Sequence, residues 1–311
     1  MVLSVTLNPS IDHTLFVKSL VAGDTNRIEL CETDAGGKGV NLSRIVAEMG
    51  GQTAATGLLG GPSGAMVLHV LQDQGVTDRF VRICGETRTN FNIESMAGGP
   101  PTTLNARGPE ISPDELDALR AQVEKESKGA AWVAIGGSLP PGVPTSIYQE
   151  LVSLARGARA KVLLDADGEP MRLGLESKPD MVKPNQKEAE RLVGRSLNST
   201  AELVDAAEEL LQHLAPGGIA IISRGSDGAV MASGGQRWIG HAPKVESKST
   251  VGSGDSLLGG FLAKLVAGEP LDECLRWGIA AGAATACTNG AEIGRRSVIE
   301  TLYTESRVER G

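Results

Sequence analysis

Aromatic side chains are scarce: Phe, Trp and Tyr make up 3% of the 311 residues. Basic residues are outnumbered too, 30 Lys and Arg against 38 Asp and Glu, for a formal charge of −8. A chain without a basic surplus or stacking rings is a poor binder of nucleic acid. Local basic pockets for anionic metabolites stay open. The four cysteines (Cys31, Cys84, Cys274, Cys287) form no CxxC, and the four histidines are scattered. A disulfide scaffold and a Cys/His metal cage are therefore not expected. No apolar run approaches the roughly 18 residues of a membrane span, and the N-terminus does not read as a signal peptide. The expectation is a cytoplasmic protein with no membrane partner. Three nucleotide and hydrolase motifs are missing: G-x4-G-K-[ST], a G-x-G-x-x-G opening a helix after the first strand, and G-x-S-x-G. That excludes P-loop NTPases, standard dinucleotide binders and α/β-hydrolases.

What is present in excess is glycine, 40 residues of 311, against a usual share of about 7%. The glycines cluster between apolar runs, as in tight turns where backbone meets ligand. Short apolar runs (Val2–Leu7, Thr53–Leu59, Trp132–Ile135, Lys161–Asp165, Asp180–Lys183, Ile219–Ser223) alternate with helical patterns. These are Lys38–Met49, Ser63–Gln74, Pro113–Ser127, Pro144–Arg156, Asn185–Val193, Ser199–His213, Gly252–Ala267, Leu271–Cys287 and Val298–Glu305. Strand–helix alternation predicts a mostly parallel sheet covered on both faces. Ala229–Ser233 and Gln236–His241 are further strands. Thr14–Lys18, Arg27–Thr33, Thr89–Ser95 and Thr102–Ala106 lack helical crossovers and are expected to form a small separate sheet. No linker or repeat divides the chain, so residues 1–311 are read as one domain.

Ligands of open α/β sheets bind beyond the carboxyl ends of the strands, so turns after strands are the places to look. Four stand out. Ser249 to Ser256 carries Gly252, Ser253, Gly254 and Asp255 at a helix start. The glycines let backbone approach a ligand, and free N–H groups there suit an anion. A carboxylate beside an anion pocket suits phosphoryl transfer, with the amides on the developing charge and Asp255 accepting the proton of an attacking hydroxyl. Asn185 and Glu188, three apart at another helix start, read either as a capping box or as groups near Mg²⁺, which keeps its own waters. Ala35 to Asn41 offers three glycines, the cation Lys38 and the amide Asn41; it reads equally as a plain helix entry. Asn8 to Asp12 is a strand-ending turn with an acid, and carries little by itself.

Three of these turns resemble, in order, the signatures of the PfkB (ribokinase-like) carbohydrate kinases: Gly36-Gly37-Lys38-Gly39 with Asn41, Asn185-Gln186-Lys187-Glu188, and Gly252-Ser253-Gly254-Asp255. The resemblance covers essentially the whole chain. Thr6 to Asp12, Asn26-Arg27, Gly85 to Arg88, Gly108 to Ile111 and Gly137-Ser138-Leu139-Pro140-Pro141-Gly142 narrow it to the ketohexose-phosphate kinases. Within that subgroup the chain is mixed: Lys38 leans away from the minor-type 6-phosphofructokinases, whereas Lys248 to Thr250 and Lys183 to Gln186 lean toward them. The resemblance implies a three-layer αβα sandwich with a small β lid and phosphotransfer from ATP with Mg²⁺. It implies Asp255 as general base and Gly252, Ser253 and Gly254 as the anion hole. Asp12, Gly37, Lys38, Asn41, Arg88 and Ser138 would bind the sugar phosphate. Lys183, Asn185, Ser223, Gly225, Gly228 and Thr250 would line the nucleotide site, with Thr250 in a turn that some relatives use for a monovalent cation such as K⁺. Glu188 and Asn185 would organise Mg²⁺ through water. Arg88 and Lys38 are expected at the end of the sugar remote from Asp255. The implied acceptors rank fructose 1-phosphate, then fructose 6-phosphate, then tagatose 6-phosphate, and many relatives dimerise through the lid. The rivals are a non-catalytic sugar-phosphate or nucleotide sensor on the same fold, which would be expected to have lost Asp255, and a Rossmann-type oxidoreductase, which the missing fingerprint disfavours.

Overall fold

The computed structural model describes residues 1–311. In chain order the first half comprises β1 (Val2–Thr6), β2 (Ser10–Val17), β3 (Ile28–Gly36), α1 (Lys38–Glu48), β4 (Thr53–Leu59), α2 (Gly61–Asp73), β5 (Thr77–Asp78), β6 (Val81–Arg82), β7 (Arg88–Ser95), β8 (Thr102–Leu104), α3 (Pro113–Ser127) and β9 (Trp132–Gly136). The second half comprises α4 (Ile147–Gly157), β10 (Lys161–Asp165), α5 (Gly168–Leu175), β11 (Met181–Val182), α6 (Gln186–Val193), α7 (Thr200–Leu210), β12 (Ile219–Ser223), β13 (Ala229–Ser233), β14 (Gln236–His241), α8 (Ser253–Ala267), α9 (Leu271–Ala286), α10 (Arg296–Glu305) and β15 (Arg307–Arg310).

The large sheet has 11 strands in the order β15-β14-β13-β12-β11-β10-β9-β1-β4-β5, with β6 also on β4. Pairing is parallel from β12 through β5 and antiparallel from β12 to β15. Strand side chains alternate between faces. Leu3, Val5, Val133, Ile135, Val162 and Leu164 pack with α3, α4 and α7 in one core. Val2, Trp132, Ala134, Leu163 and Met181 pack with α1, α8 and α9 in another. Burial on both faces is why these strands read as unbroken apolar runs. The expected three-layer αβα sandwich is therefore the observed architecture. No helix is long and apolar enough to cross a membrane.

Capping boxes start three helices where the sequence places them, at Ser112–Glu115, Asn185–Glu188 and Ser199–Glu202. Each fills two amides that a helix start leaves open, an effect of about 1 kcal/mol.

The second sheet, β3-β2-β7-β8, is the expected lid. Its strands run further than composition suggests. β2 starts at Ser10 rather than Thr14, and β3 continues to Gly36, because the two pair from Ser10↔Gly36 outward. Turn-type residues at the root are held extended by their partners. Other elements were not expected either, among them the two-residue strands β5 and β6. Asp167-Gly168-Glu169-Pro170 looks like a turn but opens α5, with Asp167 accepting from the Gly168 amide at 2.7 Å. The charged tail Arg307–Arg310 becomes β15 by pairing with β14.

Candidate active site

Parallel pairing puts the strand ends at one edge of the sheet. The register Thr6↔Gly136, Gly136↔Asp165 and Leu164↔Val182 aligns Asn8, Gly137, Ser138, Asp165 and Lys183 there. A bridge between Asn185 and Ser223 extends the row. Over this edge lies a cleft of about 850 Å³, lined by Asn8, Lys38, Arg88, Arg107, Ser138 and Glu188 among others.

The charged centre lies at the end of β10. Lys38 Nζ donates to Asp165 Oδ1 at 3.0 Å, and Lys183 Nζ stands 3.8 Å from the same oxygen. Asp165 is buried, and its Oδ2 has no partner. Burial alone would raise its pKa, but Lys183 and Lys38 outweigh burial and hold the carboxyl below the usual range. Burial likewise disfavours the Lys38 ammonium, yet Asp165 and Asp255 keep it above its ordinary value.

Asp255 sits in the first turn of α8, behind Gly252, which adopts the left-handed φ of 74°. A side chain on Gly254 would stand 3.2 Å from Lys183 Nζ, so this glycine admits the ammonium against the turn. Asn41, buried on α1, donates through Nδ2 to Asp255 Oδ2 at 2.9 Å. Burial pushes the Asp255 carboxyl up to about 6; Lys38 opposes this and Asp165 adds to it. Asn41 Oδ1 and Ser253 Oγ are buried without partners. Unfilled polar atoms concentrated at one place mark where a polar ligand completes the bonding.

The lid supplies Arg88. Ser10↔Arg88 and Asp12↔Asn90 place these residues side by side along β2 and β7. Asp12 accepts from Ser10 Oγ at 2.7 Å and from Asn90 Nδ2 at 2.8 Å. A side chain on Gly36 would collide with Asp12 Oδ2 at 2.1 Å, so glycine there makes room for the carboxylate. Arg88 Nη1 donates to the Ala106 carbonyl at 3.1 Å, while its Nε is buried and unpaired.

The structure thus gathers Lys38, Arg88, Ser138 and Glu188 on the cleft, with Asp255, Asn41, Gly252, Gly254 and Lys183 grouped about Lys38 and Asp165. Asp12 and Gly37 lie at the lid root. Ser223 ends β12, Gly225 and Gly228 follow it, and none of the three lines the cleft; Thr250 is exposed in the turn before α8. Asn185 and Glu188 form the capping box: the Asn185 amide donates to Glu188 Oε2 at 2.8 Å, and the Glu188 amide to Asn185 Oδ1 at 2.9 Å. One expectation changes. Lys38 is not remote from Asp255 but close enough to pull its pKa down, because the glycine-rich entry turns the side chain across the strand ends onto Asp165.

Asp165 escaped the sequence reading, which looked for turns rich in glycine. Its signal was an acid ending a buried apolar strand at the ligand edge. Asn8 belonged to a turn judged weak. It donates to the Arg107 carbonyl at 3.0 Å and to Ser138 Oγ at 3.3 Å, tying lid loop to sheet.

The profile described as pfkB family carbohydrate kinase matches residues 4–297. The chain belongs to that family. It is 37% identical over 275 residues to the 1-phosphofructokinase of Rhodobacter capsulatus, covering 88% of this chain and 86% of that one. It is 31% identical over 310 residues to that of Bacillus subtilis, covering 100% of both. Among solved structures, phosphofructokinase-2 from Escherichia coli in complex with substrates and products superposes with a TM-score of 0.91 at 30% identity, over 97% of this chain and 98% of that one. The same protein has been solved in complex with potassium. Family membership makes the chain a carbohydrate kinase and upholds the ribokinase-like fold expected above.

Proposed function

We propose that the chain, working as one kinase domain, moves the terminal phosphoryl group of ATP to the free primary hydroxyl of a phosphorylated ketohexose. Fructose 1-phosphate is the first choice, giving fructose 1,6-bisphosphate, in keeping with the names of the relatives at 31% and 37% identity. The observation that carries the reading is the arrangement of Asp255. It is a half-buried carboxylate held by Asn41 at a glycine-opened helix start, beside a cleft whose lid contributes an arginine.

Each residue has a task in this reading. Asp255 accepts the proton of the attacking hydroxyl; a pKa near 6 leaves it ionised at neutral pH yet basic enough to take that proton. The amides of Gly252, Ser253 and Gly254 face the charge that develops on the phosphoryl oxygens. Lys38 and Lys183, fixed by Asp165, add positive charge beside that point. Asp12 and Asn41 bond sugar hydroxyls, with Gly37 and Ser138 shaping the pocket. Arg88 binds the phosphate already on the sugar, its unpaired Nε marking spare donor capacity. Asn185, Ser223, Gly225 and Gly228 border the nucleotide.

Glu188 suits a hydrated Mg²⁺. The capping box occupies only Oε2, so Oε1 is left for a metal's water at the cleft edge. When bound, Mg²⁺ offsets phosphate charge. A monovalent cation such as K⁺ fits the turn at Thr250. That turn is anchored by Ser249, which donates through Oγ to the Gly290 carbonyl at 2.7 Å. A homodimer through the lid accounts for the exposed apolar residues on it, Ile28, Leu30, Phe91 and Leu104.

Incubation with ATP and Mg²⁺ against fructose 1-phosphate, fructose 6-phosphate, tagatose 6-phosphate, fructose and ribose, followed for ADP, tests the reading. Efficient turnover of fructose 1-phosphate is expected. Equal use of ribose or fructose would make it a plain sugar kinase. Binding without ADP would make it a sensor.

A further inference from the structure

We infer that Arg107 is a second guanidinium for the phosphate carried by the acceptor sugar, acting with Arg88 to select phosphorylated over free sugars. The inference rests on the reading that this cleft takes a sugar phosphate. Five side chains on the cleft are charged: Lys38, Arg88, Arg107, Asp167 and Glu188. Three of them are already engaged. Lys38 is on Asp165. Asp167 accepts from Arg191 Nη2 at both oxygens, at 2.8 and 2.9 Å. Glu188 closes its capping box. Neither arginine has a carboxylate partner. Arg88 makes one bond, to a carbonyl, and buries an unpaired Nε. Arg107 makes no side-chain bond at all; only its backbone is used, its carbonyl accepting from Asn8.

That backbone is pinned on both sides. The Ala106 amide donates to Asn90 Oδ1 at 3.0 Å, and the Ala106 carbonyl accepts from Arg88 itself. Gly108 follows with φ 94°, where a side chain would meet Asn8 Oδ1 at 2.3 Å. The loop therefore fixes the Arg107 stem beside Arg88 while leaving its head free over the cleft. A phosphate monoester is close to dianionic near neutral pH. One guanidinium leaves a net negative charge, and two neutralise it, each fork able to take two oxygens. Arg107 is exposed, so its contribution is weakened by salt more than that of Arg88.

The test compares parent, Arg107→Ala and Arg107→Lys with fructose 1-phosphate, fructose 6-phosphate and tagatose 6-phosphate, and with free fructose. In Arg107→Ala, KM for the preferred sugar phosphate rises about tenfold, from loss of one screened charge-assisted contact. The loss falls on KM rather than kcat. KM for ATP, use of free fructose and thermal stability stay as in the parent, and Arg107→Lys lies between. The parent's KM climbs more steeply with added NaCl than that of Arg107→Ala. A KM for the sugar phosphate unchanged by Arg107→Ala overturns the inference while leaving the proposed function standing. A rise in both KM values together with a lower Tm makes the residue structural and also overturns it. A parent that phosphorylates none of the three sugar phosphates removes the proposed function first, and this inference with it.

Discussion

The two sheets are built from different material. All five residues of β1, all five of β9 and all seven of β4 are buried, since helices cover both faces. In β3 the first four residues are exposed, and only the last two, at the root, are buried. β8 is exposed throughout. The large sheet gains its stability from apolar area and holds the charged cluster rigidly at its edge. The lid has little area of its own, and its open faces and edges need a partner, a substrate or both. In the proposed function, pre-organised chemistry belongs to the sheet edge and substrate selection to the lid.

The largest effect expected is at the sheet edge. Asp255→Asn keeps the shape and removes the proton acceptor, so kcat falls about 10²–10⁴-fold in a steady-state assay. The parent's kcat/KM falls as pH drops through about 6, since only the carboxylate accepts a proton. The stability sign is opposite. A carboxyl whose pKa is raised on folding, from 3.8 to about 6, favours the fold fully below 3.8, and that benefit is lost as pH rises through about 6. At pH 7.5 the asparagine variant should thus melt no lower than the parent. A kcat near that of the parent would leave Asp255 as a mere helix-start acid.

Arg88→Ala asks whether the lid selects the substrate. Loss of charge-assisted bonds worth about 1.5–3 kcal/mol each lowers kcat/KM for the sugar phosphate by about 10²-fold. KM for ATP should barely move. A parallel loss for ATP would move Arg88 out of the acceptor end.

Asp165→Asn sharpens the other side of the comparison. It leaves Lys183, and with it the partly exposed Lys38, with chiefly Asp255 as counter-charge. Urea unfolding should show a loss of about 3 kcal/mol, the scale for breaking a buried pair. Because the parent's Asp165 pKa is depressed on folding, its contribution is present above the ordinary carboxylate range and declines as pH falls toward the lowered pKa. The cost of the variant should therefore shrink in acid.

Glu188→Gln should raise the Mg²⁺ concentration for half-maximal rate by a few-fold, as a neutral amide holds the metal's waters less well. The helix should persist, because glutamine still closes a capping box. An unchanged Mg²⁺ titration would restrict Glu188 to capping. Last, Leu30→Asp places a charge on the exposed lid and should convert a dimer to a monomer by light scattering, with the Tm of the large sheet nearly unchanged. A parent that is already a monomer with full activity would sink the lid dimer.

Local chemistry made much of this protein legible in advance. Apolar runs with no helical period gave the buried strands, and Ser112–Glu115, Asn185–Glu188 and Ser199–Glu202 announced their helices, because a cap is satisfied within four residues of chain. The glycine turn before Asp255 was visible for the same reason. Three things were decided by tertiary structure alone. The lid strands extend to Ser10 and Gly36 because each supplies the other's hydrogen bonds across a loop. Arg307–Arg310 is a strand only because β14 has an open edge. The charged cluster needed the parallel register, which sets Asp165, 127 residues from Lys38, within 3.0 Å of its ammonium. No local pattern encodes that meeting. Strand order fixes it, and the electrostatics that raise Asp255 to about 6 arise only once folding desolvates that carboxyl and sets Lys38 and Asp165 beside it.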